Sequence, residues 1–163
     1  SKPHMIVIEE ICNTFSKFKE HILFRFTIGS NNSNVLKFWE PNAPSYEERL
    51  NCLKYAYEKG FSTSISCEPM LDSNIEQLVF ELDPYVTDSI WIGKANFLLR
   101  RLKMNGITDI ENVTKANELI SSQSDIKIKA LYKNLNTNQK IKWKESIKKI
   151  VQIEISTIRG LDK

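Results

Sequence analysis

Three short stretches of this chain end in side chains capable of chemistry. Thr27, Gly29 and Ser30 close the run F-R-F-T-I-G-S. Glu68, followed by Pro69, closes S-T-S-I-S-C-E-P, and Gly93, Lys94 and Asn96 close S-I-W-I-G-K-A-N. If these runs are parallel strands, their carboxyl ends converge on one rim, which is where α/β proteins bind ligands. A carboxylate, a hydroxyl and an ammonium on such a rim suit a polar or charged ligand. Glu68 is the foremost candidate, since a carboxylate between a strand end and a proline is poorly explained as a random surface charge. The competing reading is a structural pair with Arg25. The Gly29-Ser30 and Gly93-Lys94 pairs are weak phosphate signals.

Other reactive groups say less. His4 and His21 flank the first helical segment without metal-ligand spacing, as surface or helix-end residues do. Cys12, Cys52 and Cys67 are odd in number and widely spaced, forming neither a disulfide framework nor a zinc or cluster motif, and Cys67 reads as a core thiol. A reduced, cytoplasmic protein is the simplest inference. No Ser-His-Asp order, phosphate-binding loop or G-x-G-x-x-G is present. No apolar run approaches the roughly 20 residues of a membrane span, and no signal peptide opens the chain, so no membrane partner is expected. The abrupt start S-K-P-H-M reads as a cut through a larger protein.

The elements that position these residues follow from periodicity. Met5 to Glu20 reads as a helix, with Ile8, Ile11, Cys12, Phe15 and Phe18 at steps of three and four. Ile22 to Ile28 alternates as a strand. Ser45 and Glu48 form an S-x-x-E capping box before the stripe Leu50, Leu53, Ala56 and Tyr57, and Gly60 fits a left-handed stop. Thr63, Ile65 and Cys67 then share one strand face, with Ser64, Ser66 and Glu68 on the other. Strand, helix and strand in succession favour a parallel crossover. Parallel strands are normally apolar on both faces, so a shared face carrying Arg25, Thr27, Ser64 and Ser66 is expected to line a polar cavity or solvent. The segment between Ser30 and Pro44 reads as a long functional loop, anchored by Phe38 and Trp39 and placing Glu40 near the rim. After Asn96 the chain reads as wholly helical: Phe97 to Met104, Thr114 to Ser121, Asp125 to Leu135 and Thr137 to Ser156.

Charge is unevenly spread. The whole chain carries +3, but residues 1–122 carry −3 and residues 123–163 carry +6, with lysines at 127, 129, 133, 140, 142, 144, 148 and 149. This reads as a solvated helical face, with a phosphate- or nucleic-acid-binding patch as the alternative. The aromatic residues do not alternate with basic ones as a stacking platform for nucleic acid would require.

The stretch F-R-F-T-I-G-S-N-N-S-N-V-L-K-F-W-E-P-N-A-P-S-Y-E-E-R-L, with G-F-S-T-S-I-S-C-E-P-M-L-D and D-S-I-W-I-G-K-A-N, resembles the carboxyl-terminal part of a radical S-adenosylmethionine core of the spore-photoproduct-lyase-like group. That group shows a strand ending in T-I-G-S, then E-P-x-A-P-S with a following arginine, then a strand ending in E-P. Here these are Thr27 to Ser30, Glu40 to Ser45 with Arg49, and Glu68 with Pro69. The resemblance covers residues 1–100 well and the rest loosely. It implies an α/β fold: the carboxyl-terminal part of a partial (β/α)6 TIM-like barrel in residues 1–104, whose three parallel strands are the fourth to sixth. Ser1 to His4 would close the third, and residues 105–163 would form an all-helical extension packed on the barrel.

The resemblance also implies roles. S-adenosylmethionine would lie at the rim, against Thr27, Gly29 and Ser30, with Glu40, Arg49 and Glu68 binding its amino and carboxylate groups and Ile92 and Gly93 bordering its adenine. Arg25, Lys94 and Asn96 would face the substrate. Enzymes of this kind hold a [4Fe-4S] cluster through a C-x3-C-x2-C loop, which this chain does not contain, and thiolate ligation needs convergent cysteines. The chain is therefore expected to be a fragment of such an enzyme, inactive alone, with the cluster belonging to the intact protein. A non-catalytic binding or regulatory α/β domain, with or without a nucleic-acid-binding helical tail, is the other reading. An unpaired edge along Ile22 to Ile28 is expected to drive self-association.

Overall fold

In the computed structural model, which describes residues 2–157, the sheet consists of β1 (Leu23–Thr27), β2 (Ser62–Cys67), β3 (Ile90–Ile92) and β4 (Ile141–Trp143). The helices are α1 (Met5–Thr14), α2 (Ser33–Trp39), α3 (Tyr46–Glu58), α4 (Ile75–Leu82), α5 (Leu98–Met104), α6 (Ile110–Ser122), α7 (Asp125–Leu135) and α8 (Glu145–Val151). The strands lie in the order β1-β2-β3-β4, every neighbouring pair parallel.

Phe26 is in register with Ile65, Ile65 with Ile90 and Ile90 with Ile141, so these four side chains share a face, and all are buried. Parallel neighbours in chain order are joined by right-handed crossovers, which send the connecting helices to the same side. From that side α3 buries Cys52, Leu53 and Ala56, and α4 buries Leu78, Val79 and Leu82. Each large aliphatic side chain removed from water contributes about 1.5–3 kcal/mol, so the core lies between this face and the helices.

The ends of α3 follow the local signals. Ser45 Oγ accepts from Glu48 N at 3.2 Å, and Gly60 adopts φ +79°. The box is not reciprocal, however, because Glu48 Oε1 accepts from Met5 N at 3.1 Å and so caps the start of α1.

The other face of the sheet is polar. Arg25 pairs in register with Ser64, Thr27 with Ser66, Ser66 with Trp91, and Trp91 with Lys142. Ser64 is nevertheless buried and satisfied: it donates to Ser89 O at 2.8 Å and accepts from Arg25 Nε at 3.1 Å. Trp91 is 8% exposed, with Arg25 Cζ 5.5 Å and Lys144 Nζ 4.7 Å from its ring centroid, a cation–π arrangement.

Several sequence expectations are corrected. The sheet has four strands, not three, and the region expected to be wholly helical contributes β4. Ile141, Lys142 and Trp143 alternate with period two, and the open edge of β3 supplies backbone partners, with Lys144 N donating to Ile92 O at 2.9 Å. The helix expected over Thr137 to Ser156 shrinks to α8. The long loop after Ser30 contains α2, capped by Asn32, whose side chain accepts from Asn34 N and Val35 N. The first helix stops at Thr14, and a 3₁₀ turn over Ser16–His21 leaves Phe15 and Phe18 exposed. Lys2 to His4 form no strand; Ser1 and residues 158–163 of the expected helical extension lie outside the described residues.

The tail lysines do not share one solvated face. Lys140 pairs with Asp83 at 3.3 Å, Lys144 with Glu68 at 3.6 Å and Lys149 with Glu145 at 3.4 Å, while Lys148 is buried. Among the described residues no helix is long and apolar enough to cross a membrane.

Candidate functional site

The carboxyl ends of β1, β2 and β3 meet at one edge and are laced together through the backbone. Gly93 N donates to Cys67 O at 3.0 Å, Met70 N to Gly93 O at 2.9 Å and Leu71 N to Gly29 O at 2.9 Å. The Glu68–Pro69 peptide bond, which ends β2, is cis. Two glycines permit this closeness: a Cβ on Gly29 would stand 2.5 Å from Pro69 O, and one on Gly93 would stand 2.9 Å from Glu68 Cγ.

Beside this lacing, Glu68, Pro69, Lys94, Asn96 and Arg101 line a cleft of about 280 Å³. Glu68 is half-buried and sits 3.6 Å from Lys144 Nζ. The Lys94 backbone is fixed by Ser146, whose Oγ accepts from Lys94 N at 3.1 Å. A carboxylate thus stands in one cleft with an ammonium and a guanidinium. Such a set can take a cationic donor against Glu68 and an anionic acceptor against Lys94 or Arg101, both through charge-assisted hydrogen bonds.

The expected site residues divide into two groups. Glu68, Lys94 and Asn96 come together in the cleft, with Gly93 packed under Glu68. Glu40 and Arg49 instead meet each other: Arg49 is fully buried, donating from Nη2 to Glu40 Oε2 at 2.6 Å, from Nε to Pro44 O at 2.8 Å and from Nη1 to Thr27 O at 3.1 Å. Lys2 Nζ lies 2.9 Å from Glu40 Oε1. This network clamps the end of β1 to α3, and Thr27 takes part through its carbonyl. Ser30 is fully buried, donating to the Asp72 carboxylate and accepting from Asn32 N at 2.9 Å. Ile92 is a core residue on the helix-covered face. Arg25 lies further back on the open face, near Asp88 at 3.9 Å rather than paired with Glu68.

Four residues support or line the cleft without a local signal that places them there. Arg101 is one of several basic residues on a short helix, and Lys144 and Ser146 fell inside a misread helix. Gln123, at the end of α6, is 3% exposed; its Oε1 accepts from Ala95 N at 2.8 Å and its Nε2 donates to Met70 O at 2.9 Å. Only burial of a polar side chain marks it, and burial is not visible in the stretch S-S-Q-S.

The thiols serve the core. Burial pushes the Cys12, Cys52 and Cys67 thiols up from their ordinary values, Cys52 to about 11. Thiolates are the form that binds metal, and these three sit on α1, α3 and β2. They do not fit an iron–sulfur cluster, and among the described residues no group of three or more His, Cys, Asp or Glu is placed to hold a metal ion. No family model, curated protein or solved structure matches the chain.

Proposed function

We propose that the chain is the carboxyl-terminal part of a radical S-adenosylmethionine core, contributing a cofactor- and substrate-facing rim to a partial (β/α)6 barrel. The observation that carries the reading is the cleft at the strand ends, where Glu68 stands with Lys94 and Arg101. The sequential parallel order of the strands also supports it, because a barrel wall is built of neighbouring parallel strands joined by helices on the outer side. On this reading β1, β2 and β3 are the fourth, fifth and sixth strands, and β4 is an addition to the expected set.

The cleft fits the amino-acid end of S-adenosylmethionine. Glu68 would accept from its ammonium, and Lys94, expected from the resemblance to face the substrate, would instead donate with Arg101 to its carboxylate. Gly93 would keep the β3 end low beneath the ligand, and Asn96 and Arg25 would face the substrate. Thr27, Gly29, Ser30, Glu40 and Arg49 would act from behind, holding the end of β1 in place. When bound with a reduced cluster, S-adenosylmethionine supplies a radical able to abstract hydrogen. The cluster ligands would come from a segment other than this chain.

Anaerobic reconstitution with iron and sulfide of the protein encoded by the whole reading frame should give cluster absorption and release of 5′-deoxyadenosine. An upstream frame without the three-cysteine loop, or no 5′-deoxyadenosine from the reconstituted protein, sinks the reading. The second reading, a non-catalytic binding domain, draws on the absence of the C-x3-C-x2-C loop from the chain. It predicts a colourless protein that binds a ligand in the cleft without turning it over.

A further inference from the structure

Gln123 occupies an unusual place relative to the cleft. Its buried amide closes a ring of hydrogen bonds that joins the loop after β2 to the loop after β3. Gly93 O accepts from Met70 N, Met70 O accepts from Gln123 Nε2, and Gln123 Oε1 accepts from Ala95 N. Three successive backbone amides of the second loop are thereby assigned: Gly93 N to Cys67 O, Lys94 N to Ser146 Oγ and Ala95 N to Gln123 Oε1. The two residues bonded to Gln123 stand next to the charges of the cleft. Ala95 follows Lys94 directly, and Met70 is two residues beyond Glu68.

A glutamine is chemically suited to this bridge, since one planar group supplies both a donor and an acceptor. Gln123 is 3% exposed and its bond to Met70 O is buried, so losing that bond leaves a buried backbone carbonyl unpaired, while the bond from Ala95 N is part-buried. Such a bridge fixes distance as well as stability. If it is cut, the loops stay tied through Gly93 N to Cys67 O and Met70 N to Gly93 O, but Ala95, and with it the segment that carries the Lys94 ammonium, loses its fixed distance from Met70 and the Glu68 side of the cleft.

We infer that Gln123 is a positioning residue for ligand binding: through Met70 and Ala95 it sets the separation of Glu68 and Lys94 so that they grip the two ends of a zwitterionic amino-acid group together. The inference rests on the proposed reading that S-adenosylmethionine binds this cleft. It adds that α6, outside the stretch that resembles the family well, determines how the rim recognises the amino-acid end.

The test compares the protein encoded by the whole reading frame with its Gln123→Met variant, which keeps most of the side-chain volume and removes both hydrogen bonds. The two ligands are S-adenosylmethionine and 5′-methylthioadenosine, which lacks the amino-acid group, and binding is measured by calorimetry well below either protein's unfolding temperature. The expected result is an affinity loss of about tenfold for S-adenosylmethionine, the scale of one charge-assisted hydrogen bond, with affinity for 5′-methylthioadenosine unchanged. Equal losses for both ligands would make Gln123 a support of the fold alone and overturn the inference, as would no loss for either. A wild-type protein that binds neither ligand would instead defeat the underlying reading, and the inference with it.

Discussion

Glu68 lies across the end of β3 because residue 93 is glycine: a Cβ there would stand 2.9 Å from Glu68 Cγ and 3.0 Å from its Cδ. The contact ties the carboxylate of one strand end to the backbone of the next. Gly29 plays a different part at the end of β1, where the obstructing atom would be a backbone oxygen, Pro69 O, at 2.5 Å.

The two glycines should therefore respond differently to alanine. Gly93→Ala displaces a side chain that can swing away, so its unfolding temperature should stay within roughly 4 °C of wild type, the equivalent of about 1 kcal/mol. Its cost should appear as weaker ligand binding through Glu68. Gly29→Ala must move backbone, an overpacking cost of about 1–3 kcal/mol, and should lower the unfolding temperature by roughly 2–12 °C. Thermal unfolding of both variants decides the matter, and equal shifts would contradict it.

Arg49→Met removes one partner of a buried ion pair and, among the described residues, leaves Glu40 with Lys2 as its ion-pair partner. Breaking such a pair costs about 3–5 kcal/mol. The free protein should lose roughly 6–20 °C in unfolding temperature. An arginine whose sole task was to hold a cofactor would leave the stability of the free protein unaltered, so the same scan separates the two roles.

Cys52 gives a pH dependence. The unfolded chain releases this thiol proton near the ordinary value of 9.0, whereas burial holds it in the folded protein to about 11, and Sγ donates to Pro3 O at 3.8 Å. Between those values the folded state binds more protons, so its stability falls as pH rises, while below pH 9 this contribution is complete. Denaturation midpoints measured from pH 8 to 11 should show the decline, reduced in Cys52→Ala. At pH 8 a thiol reagent should label Cys52 only after unfolding.

β1 is an outer strand of the sheet, and Leu23 at its start is 44% exposed. Such an edge can template pairing with another copy, and lysine on an edge opposes it. Sedimentation velocity should show concentration-dependent association of the wild-type chain that Leu23→Lys weakens. A wild-type chain that stays monomeric across the concentration range would remove this role for the edge.

What could be read from the residues alone was whatever their near neighbours control. Ser45 and Gly60 bound α3 because a cap and a left-handed stop involve residues only a few positions apart. The alternation of Phe26 with Arg25 and of Ile65 with Ser64 revealed two faces of different character before the sheet was known. Glu68 and Lys94 could be nominated because strand ends in an α/β order converge.

Only the tertiary structure decided the rest, because its partners are far apart in the chain. Ile141 and Trp143 fit a helical stripe as well as an alternating strand, and the backbone of Ile90 to Ile92, about fifty residues earlier, tipped them into β4. The resemblance implied a place for Arg49 beside the cofactor, whereas the fold buries it against Glu40 and bonds it to the end of β1. Gln123 had no local signal at all: two hydrogen bonds to loops 28 and 53 residues away place it behind the cleft.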